Sequence, residues 1–152
     1  MFNYYFDAGR EGHNDVVRLF EAIGAGVFEG YASQYVVREL KNAPEPKRSS
    51  MLALMEQYGI SALDETPDAD NLAKIYIEAG IIPKSHPFDS LHIAAATVYR
   101  LDCIVSYNFK HINRARTQIS VTGVNNNEGY GGLTICTAEE VMDDERQNGH
   151  HN

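Results

Sequence analysis

Phe88-Asp89-Ser90-Leu91-His92-Ile93-Ala94-Ala95-Ala96, followed a little further on by Asp102-Cys103-Ile104-Val105-Ser106-Tyr107-Asn108-Phe109-Lys110-His111, is the part of the chain that decides its fold. A carboxylate opens an apolar helix, and a short apolar strand then ends in an amide beside a basic turn. From Pro87 to Tyr99 the helix is apolar on most of its sides, so it belongs in an interior rather than on a surface. Cys103 to Tyr107 reads as a fully buried strand, the kind that parallel sheets use.

Outward from this stretch, helix and strand signals alternate, which predicts an α/β domain with a mostly parallel sheet. His13 to Ile23 carries apolar residues at helical spacing and is closed by Gly24 and Gly26. Val27 to Ala32 then reads as a strand. Ser33 caps a helix from Gln34 to Asn42, which has to stop before Pro44 because a residue preceding proline is pushed out of helical space. A second helix, Pro46 to Tyr58, ends at Gly59, and Ile60 to Leu63 is a weak strand. Thr66-Pro67 is an N-cap followed by proline at the first helical position, opening a helix that Gly80 terminates. Phe109 to Gln118 reads as a helix, Asn125 to Gly132 as a turn-rich loop and Leu133 to Cys136 as the last strand. Thr137 with Glu140 forms a capping box for a short final helix. The predicted domain covers residues 1–142, with 143–152 a disordered polar tail.

The chain has 152 residues, 43% of them apolar, with nine tyrosines and six phenylalanines, enough for one domain with a real core. Its start has neither a basic region nor an apolar run, and no window approaches the about 20 apolar residues that span a bilayer. The expectation is a cytoplasmic protein with no membrane contact. Cys103 and Cys136 each lie in a short apolar run, the setting of a reduced core thiol, and no zinc spacing is present. The formal charge is −8, of which Asp143, Asp144 and Glu145 against Arg146 make −2, leaving −6 on the body. Such a field opposes indiscriminate binding of nucleic acid, so a polyanion has to meet a bound cation or a local basic patch. Lys110, His111, Arg114 and Arg116 form the best such patch, and Lys41, Lys47 and Arg48 the second. A solvated helix face explains either one equally well.

Three residues stand out for chemistry. Asn108 follows the carboxyl end of a strand, where open α/β sheets place ligands. Asp89 lies in the first turn of a buried helix, where unpaired N–H groups and the helix dipole keep a carboxylate ionised. Glu39 lies among Val36, Val37 and Leu40, which suggests a partly inward-facing acid. Two carboxylates and an amide oxygen in one crevice suit Mg²⁺, which needs few protein ligands beside water and phosphate oxygens, and which can polarise a phosphodiester and acidify an attacking water. The same residues also read as a helix-start acid, a cap and a solvated acid, and spacing alone does not choose. His92, one turn from Asp89, reads as a core histidine before a base, and His111 as a substrate contact.

At this point Tyr35-Val36-Val37-Arg38-Glu39-Leu40, Asp89-Ser90-Leu91-His92-Ile93-Ala94-Ala95 and Ile104-Val105-Ser106-Tyr107-Asn108-Phe109-Lys110-His111-Ile112 resemble the PIN-domain nucleases, the fold of many toxins of bacterial toxin–antitoxin pairs. Val124-Asn125 to Glu128-Gly129-Tyr130 and Ile135-Cys136-Thr137-Ala138-Glu139-Glu140 are similar to the closing segment of one PIN subgroup. The resemblance implies a PIN-like three-layer sandwich, its central sheet mostly parallel and flanked by helices. It implies Glu39, Asp89 and Asn108 as catalytic metal ligands for Mg²⁺ or Mn²⁺, Lys110 and His111 as substrate contacts, RNA as substrate and an antitoxin protein as partner. The family's pattern also places an apolar strand ending in an aspartate ahead of the counterpart of Asn3-Tyr4-Tyr5-Phe6-Asp7. That first strand is missing here, so the N-terminal rings have to fill its place or form a surface for a homodimer.

Two functions follow as expectations. One is a Mg²⁺-dependent endoribonuclease of PIN type, impaired by the loss of the first metal-ligand aspartate; the other is a catalytically inactive PIN-like module that binds proteins or serves as a scaffold. A receiver-like phosphoacceptor also needs a lysine on a late strand, and no late strand carries one.

Overall fold

The computed structural model describes residues 2–107 and 114–149. It is mixed α/β, with eight helices and four short strands among the described residues. The helices are α1 (Phe2–Phe6), α2 (His13–Gly24), α3 (Gln34–Asn42), α4 (Lys47–Tyr58), α5 (Pro67–Glu78), α6 (Pro87–Val98), α7 (Arg114–Asn127) and α8 (Ala138–Gly149). The strands are β1 (Tyr31–Ser33), β2 (Ser61–Leu63), β3 (Cys103–Val105) and β4 (Thr134–Cys136). They pair two by two, both times in parallel: Tyr31, Ala32 and Ser33 beside Ser61, Ala62 and Leu63, and Cys103, Ile104 and Val105 beside Thr134, Ile135 and Cys136. A parallel pair cannot be joined by a tight turn, and here α3 and α4 connect the first pair while the segment containing α7 connects the second. The chain forms two compact units, one of Met1–Leu63 with Thr137–Asn152 and one of Asp64–Cys136. No helix among the described residues is long and apolar enough to cross a membrane.

Most helix limits follow the local chemistry that predicts them. Ser33 Oγ accepts from Val36 N–H at 3.3 Å and Thr66 Oγ1 from Ala69 N–H at 3.2 Å, so both predicted N-caps form. Ala43, before Pro44, is extended and ends α3. Thr137 and Glu140 make the reciprocal capping box, with Glu140 N–H on Thr137 Oγ1 (3.3 Å) and Thr137 N–H on Glu140 Oε1 (3.1 Å). α8 then runs past Met142 as far as Gly149, where the sequence reading had a disordered tail.

One closing motif recurs at helix ends. In α2, Val27 N–H reaches back to Ala22 O and Gly26 N–H to Ile23 O, with Gly26 in the left-handed region. The same pair of bonds closes α4 at Gly59, α5 at Gly80, α6 at Arg100 and α7 at Gly129. This corrects the strand expected from Val27 to Ala32. The Val27 N–H is already spent on closing α2, so the ladder begins only at Tyr31, with Ser61 N–H on Gly30 O just before it.

In the first unit, Ala32, Val37, Leu40, Met51 and Met55 form one cluster, with Val36, Leu52 and Ile60 packed on it. The N-terminal rings pack next to α2: Tyr5 lies 5.4 Å from Phe20 and 5.9 Å from Tyr58 between ring centroids, and the Tyr5 and Tyr58 hydroxyls are 2.7 Å apart. That bond, with burial second, pushes Tyr58 up to about 12. Tyr4 is buried, Tyr5 is half-buried and Phe6 remains 51% exposed, so the three rings divide between the two fates expected of them.

The second unit is built on α5 against α6. Ala69, Leu72, Ala73 and Tyr76 fall at i, i+3, i+4 and i+7 on α5, and Ser90, Ile93, Ala94 and Thr97 repeat that spacing on α6; all eight are buried. Small residues on both stripes let the helices approach closely, and Ser90 Oγ satisfies itself on Ala73 O at 2.7 Å. Asn125 of α7 completes the core: the Tyr76 hydroxyl donates to its Oδ1, and its Nδ2 donates to Thr97 Oγ1 at 3.2 Å. Burial drives Tyr76 up to about 12, with the Thr97 and Asn125 bonds acting the other way. The loop expected from Asn125 is therefore helical through Asn127, because a buried amide with two partners outweighs a turn-forming composition. The strand expected to be fully buried, by contrast, is half-buried at Cys103, Ile104 and Val105, since a sheet of two strands cannot cover itself as a wider one does.

Two outcomes test this picture. Arg100 is the one non-glycine residue with positive φ among the described residues (φ 56), so Arg100→Gly should stabilise the protein by up to about 1 kcal/mol in urea unfolding; a destabilised variant would show that the left-handed cap is not strained. Asn125→Ala should cost about 2–4 kcal/mol, because it leaves a cavity and takes from the Tyr76 and Thr97 hydroxyls the amide they share, leaving them only their own 3.4 Å contact, and a loss under about 1 kcal/mol would mean that the network does not hold α7.

Candidate metal and RNA site

Asp89 owes its position to the start of α6. Pro87 supplies the first helical φ, and His86 precedes it without a side-chain cap. Asp89 is half-buried, and its Oδ2 lies 3.9 Å from His86 Nδ1; the side chains are 16% and 57% exposed respectively. A mostly shielded carboxylate next to a solvent-facing imidazole is able to bind a cation or to hold a proton donor. His86 was not singled out from the sequence, although its i, i+3 spacing to Asp89 on a helix start was a readable signal. Phe88, between them in sequence, is half-exposed, and His92, one turn on, is half-buried, as a histidine on the edge of a core would be.

Glu39 differs from its expectation. It sits on α3, but the apolar side of that helix is carried by Val37 and Leu40, and Glu39 is exposed with Arg38 and Lys41 as exposed neighbours in sequence. The Arg38 guanidinium lies 5.4 Å above the Tyr35 ring. Val36, Val37 and Leu40 surround Glu39 in sequence, yet at 100° per residue position 39 turns away from the stripe formed by 37 and 40.

Asn108, Lys110 and His111 lie outside the described residues. What is described is their approach: β3 gains one further rung where Ser106 N–H donates to Cys136 O at 3.0 Å. Of the two basic patches, Arg114 is half-buried and Arg116 exposed at the start of α7. Lys41, Lys47 and Arg48 are exposed, with Arg48 Nε on Glu45 Oε1 at 2.7 Å. That pair is too exposed to matter much for stability. Among the described residues, no three His, Cys, Asp or Glu side chains gather as a metal cluster.

No protein-family model, curated protein or solved structure matches the chain.

The helix-start setting of Asp89 predicts that its charge matters little for folding. Asp89→Asn should lower stability by no more than about 1 kcal/mol, the usual size of a carboxylate–dipole interaction, as read from the thermal midpoint by circular dichroism. A loss of several kcal/mol would make Asp89 a structural residue instead.

Proposed function

We propose that the chain is a PIN-type, Mg²⁺- or Mn²⁺-dependent endoribonuclease, with its strands and helices forming a PIN-like three-layer sandwich. The observation that carries this reading is Asp89, a shielded carboxylate at the N-terminus of a buried helix, in a chain whose parallel strand pairs and connecting helices are of α/β type. The resemblance adds Glu39 and Asn108 as the other ligands and Lys110 and His111 as contacts to the phosphate backbone. In this reading the cation polarises the scissile phosphodiester and lowers the pKa of the attacking water. Asp89 holds the cation. RNA is then the substrate and an antitoxin protein a regulator, in the cytoplasm.

A second reading is favoured by a specific observation. Glu39 is exposed, and no three acidic, histidine or cysteine side chains gather among the described residues, which suits a PIN-like module that binds proteins without cleaving RNA. The deciding experiment is cleavage of single-stranded RNA by the purified chain with Mg²⁺, with Mn²⁺ and with EDTA, beside Asp89→Asn. Metal-dependent cleavage that falls at least about tenfold in the variant is the expected result, since the substitution removes charge and almost no volume. Activity that survives in the variant would rule out the site, and no metal-dependent activity in either protein would favour the binding module.

A further inference from the structure

The two cysteines belong to no part of the site described above, and the structure brings them together. In the β3–β4 ladder Cys103 stands opposite Thr134, and Val105 opposite Cys136. Side chains alternate along a strand, so Cys136 emerges on the same face as Thr134, and therefore on the face of Cys103. The Cys136 thiol leans back along the ladder and donates to Ile104 O at 3.8 Å, next to Cys103. Burial separates the two sulfurs: Cys136 is buried, whereas Cys103 is half-buried on a strand whose three residues are all half-buried.

The Cys103 thiol is drawn down to about 7, first by the Cys136 thiol beside it, while its own burial and the Asp102 carboxylate act against this. This shift favours the thiolate, which is the form that attacks peroxides and disulfides. An accessible thiolate beside a buried partner thiol is the arrangement of an attacking and a resolving cysteine.

We propose that Cys103 and Cys136 form a peroxide-responsive pair that closes into an intramolecular disulfide across β3 and β4. The Cys103 thiolate attacks one oxygen of hydrogen peroxide; the S–O bond forms, the O–O bond breaks, and hydroxide leaves and takes up a proton. The resulting sulfenic acid is attacked by the Cys136 sulfur. The S–S bond forms, the S–O bond breaks, and the departing hydroxide leaves as water with the Cys136 proton. Two electrons pass from the two sulfurs to one peroxide, which becomes two waters. The two cysteines are diagonal across the ladder and not directly opposite, so closing the bond requires the strands to shift. The bond fastens the ladder that ends at Ser106. This inference is independent of the nuclease reading.

The test uses the full reduced chain, treated with hydrogen peroxide, alkylated with N-ethylmaleimide after unfolding, and weighed intact. The expected product is a monomer lighter by two hydrogens that carries no alkyl group and regains two after reduction. Cys136→Ser, which lacks the resolving thiol, should instead hold a sulfenic acid at Cys103 that a dimedone reagent labels, and Cys103→Ser should take no label. The wild-type mass decides the matter even where a variant folds poorly. Two alkyl groups after peroxide, or disulfide-linked dimers in place of the monomeric product, would overturn the proposal.

Discussion

The second unit depends on the close approach of α5 and α6, and that approach depends on side-chain size. Alanines at 69, 73 and 94 with Ser90 remove the bulk that normally keeps helices apart, leaving Leu72, Tyr76 and Ile93 to fill the remaining space. Close packing creates a polar debt, since Tyr76 and Thr97 bring hydroxyls into a region without water. Asn125 resolves it by accepting from one hydroxyl and donating to the other. α7 is thus tied to the helix pair by specific bonds rather than by apolar area alone, and β4 follows from α7 through Gln118, whose Oε1 accepts the Ile135 N–H at 2.8 Å.

The first unit solves its packing with rings and methionines. Phe20 on α2 meets Phe2, Tyr5 and Tyr58 at centroid separations between 5.4 and 5.7 Å, tilted or edge-on as aromatic quadrupoles prefer. Met51 and Met55 adapt to the irregular space beside Ala32 and Val37. Gly30 is required where the chain enters β1, because a Cβ there would sit 3.0 Å from Ile23 and 3.2 Å from Ile60.

Chemistry in this chain is placed at the ends of elements. Asp89 is at a helix start, Ser106 closes a strand ladder, Arg114 and Arg116 open α7, Lys41 ends α3, and Lys47 and Arg48 open α4. Ends are where backbone groups go unpaired and where a charged side chain is both stabilised and reachable. The thiol pair is the exception, lying inside a ladder, with Cys136 buried and Cys103 only half-buried because that ladder has two strands.

How much of this the residues announce by themselves depends on the range of the interaction. Ser33, Thr66 and Thr137 act within three residues of themselves, so the limits they set on α3, α5 and α8 could be read directly, as could the stop before Pro44 and the glycines that end α2, α4 and α5. The acid at the start of a buried helix was legible in the same way, because Pro87, Asp89 and the apolar run after them are contiguous. Val27 was misread for want of its hydrogen bond to Ala22, and Asn125 for want of Tyr76, which lies 49 residues away in sequence. Glu39 was assigned inward from its apolar neighbours, although the helical turn carries it off their stripe. Sequence alone determined the helices and strands whose signals are local and the residue types available for a site. Tertiary structure alone decided which strands pair, that β3 is left half-covered, and that two cysteines 33 positions apart share one face, because those outcomes rest on contacts between distant segments that no local window contains.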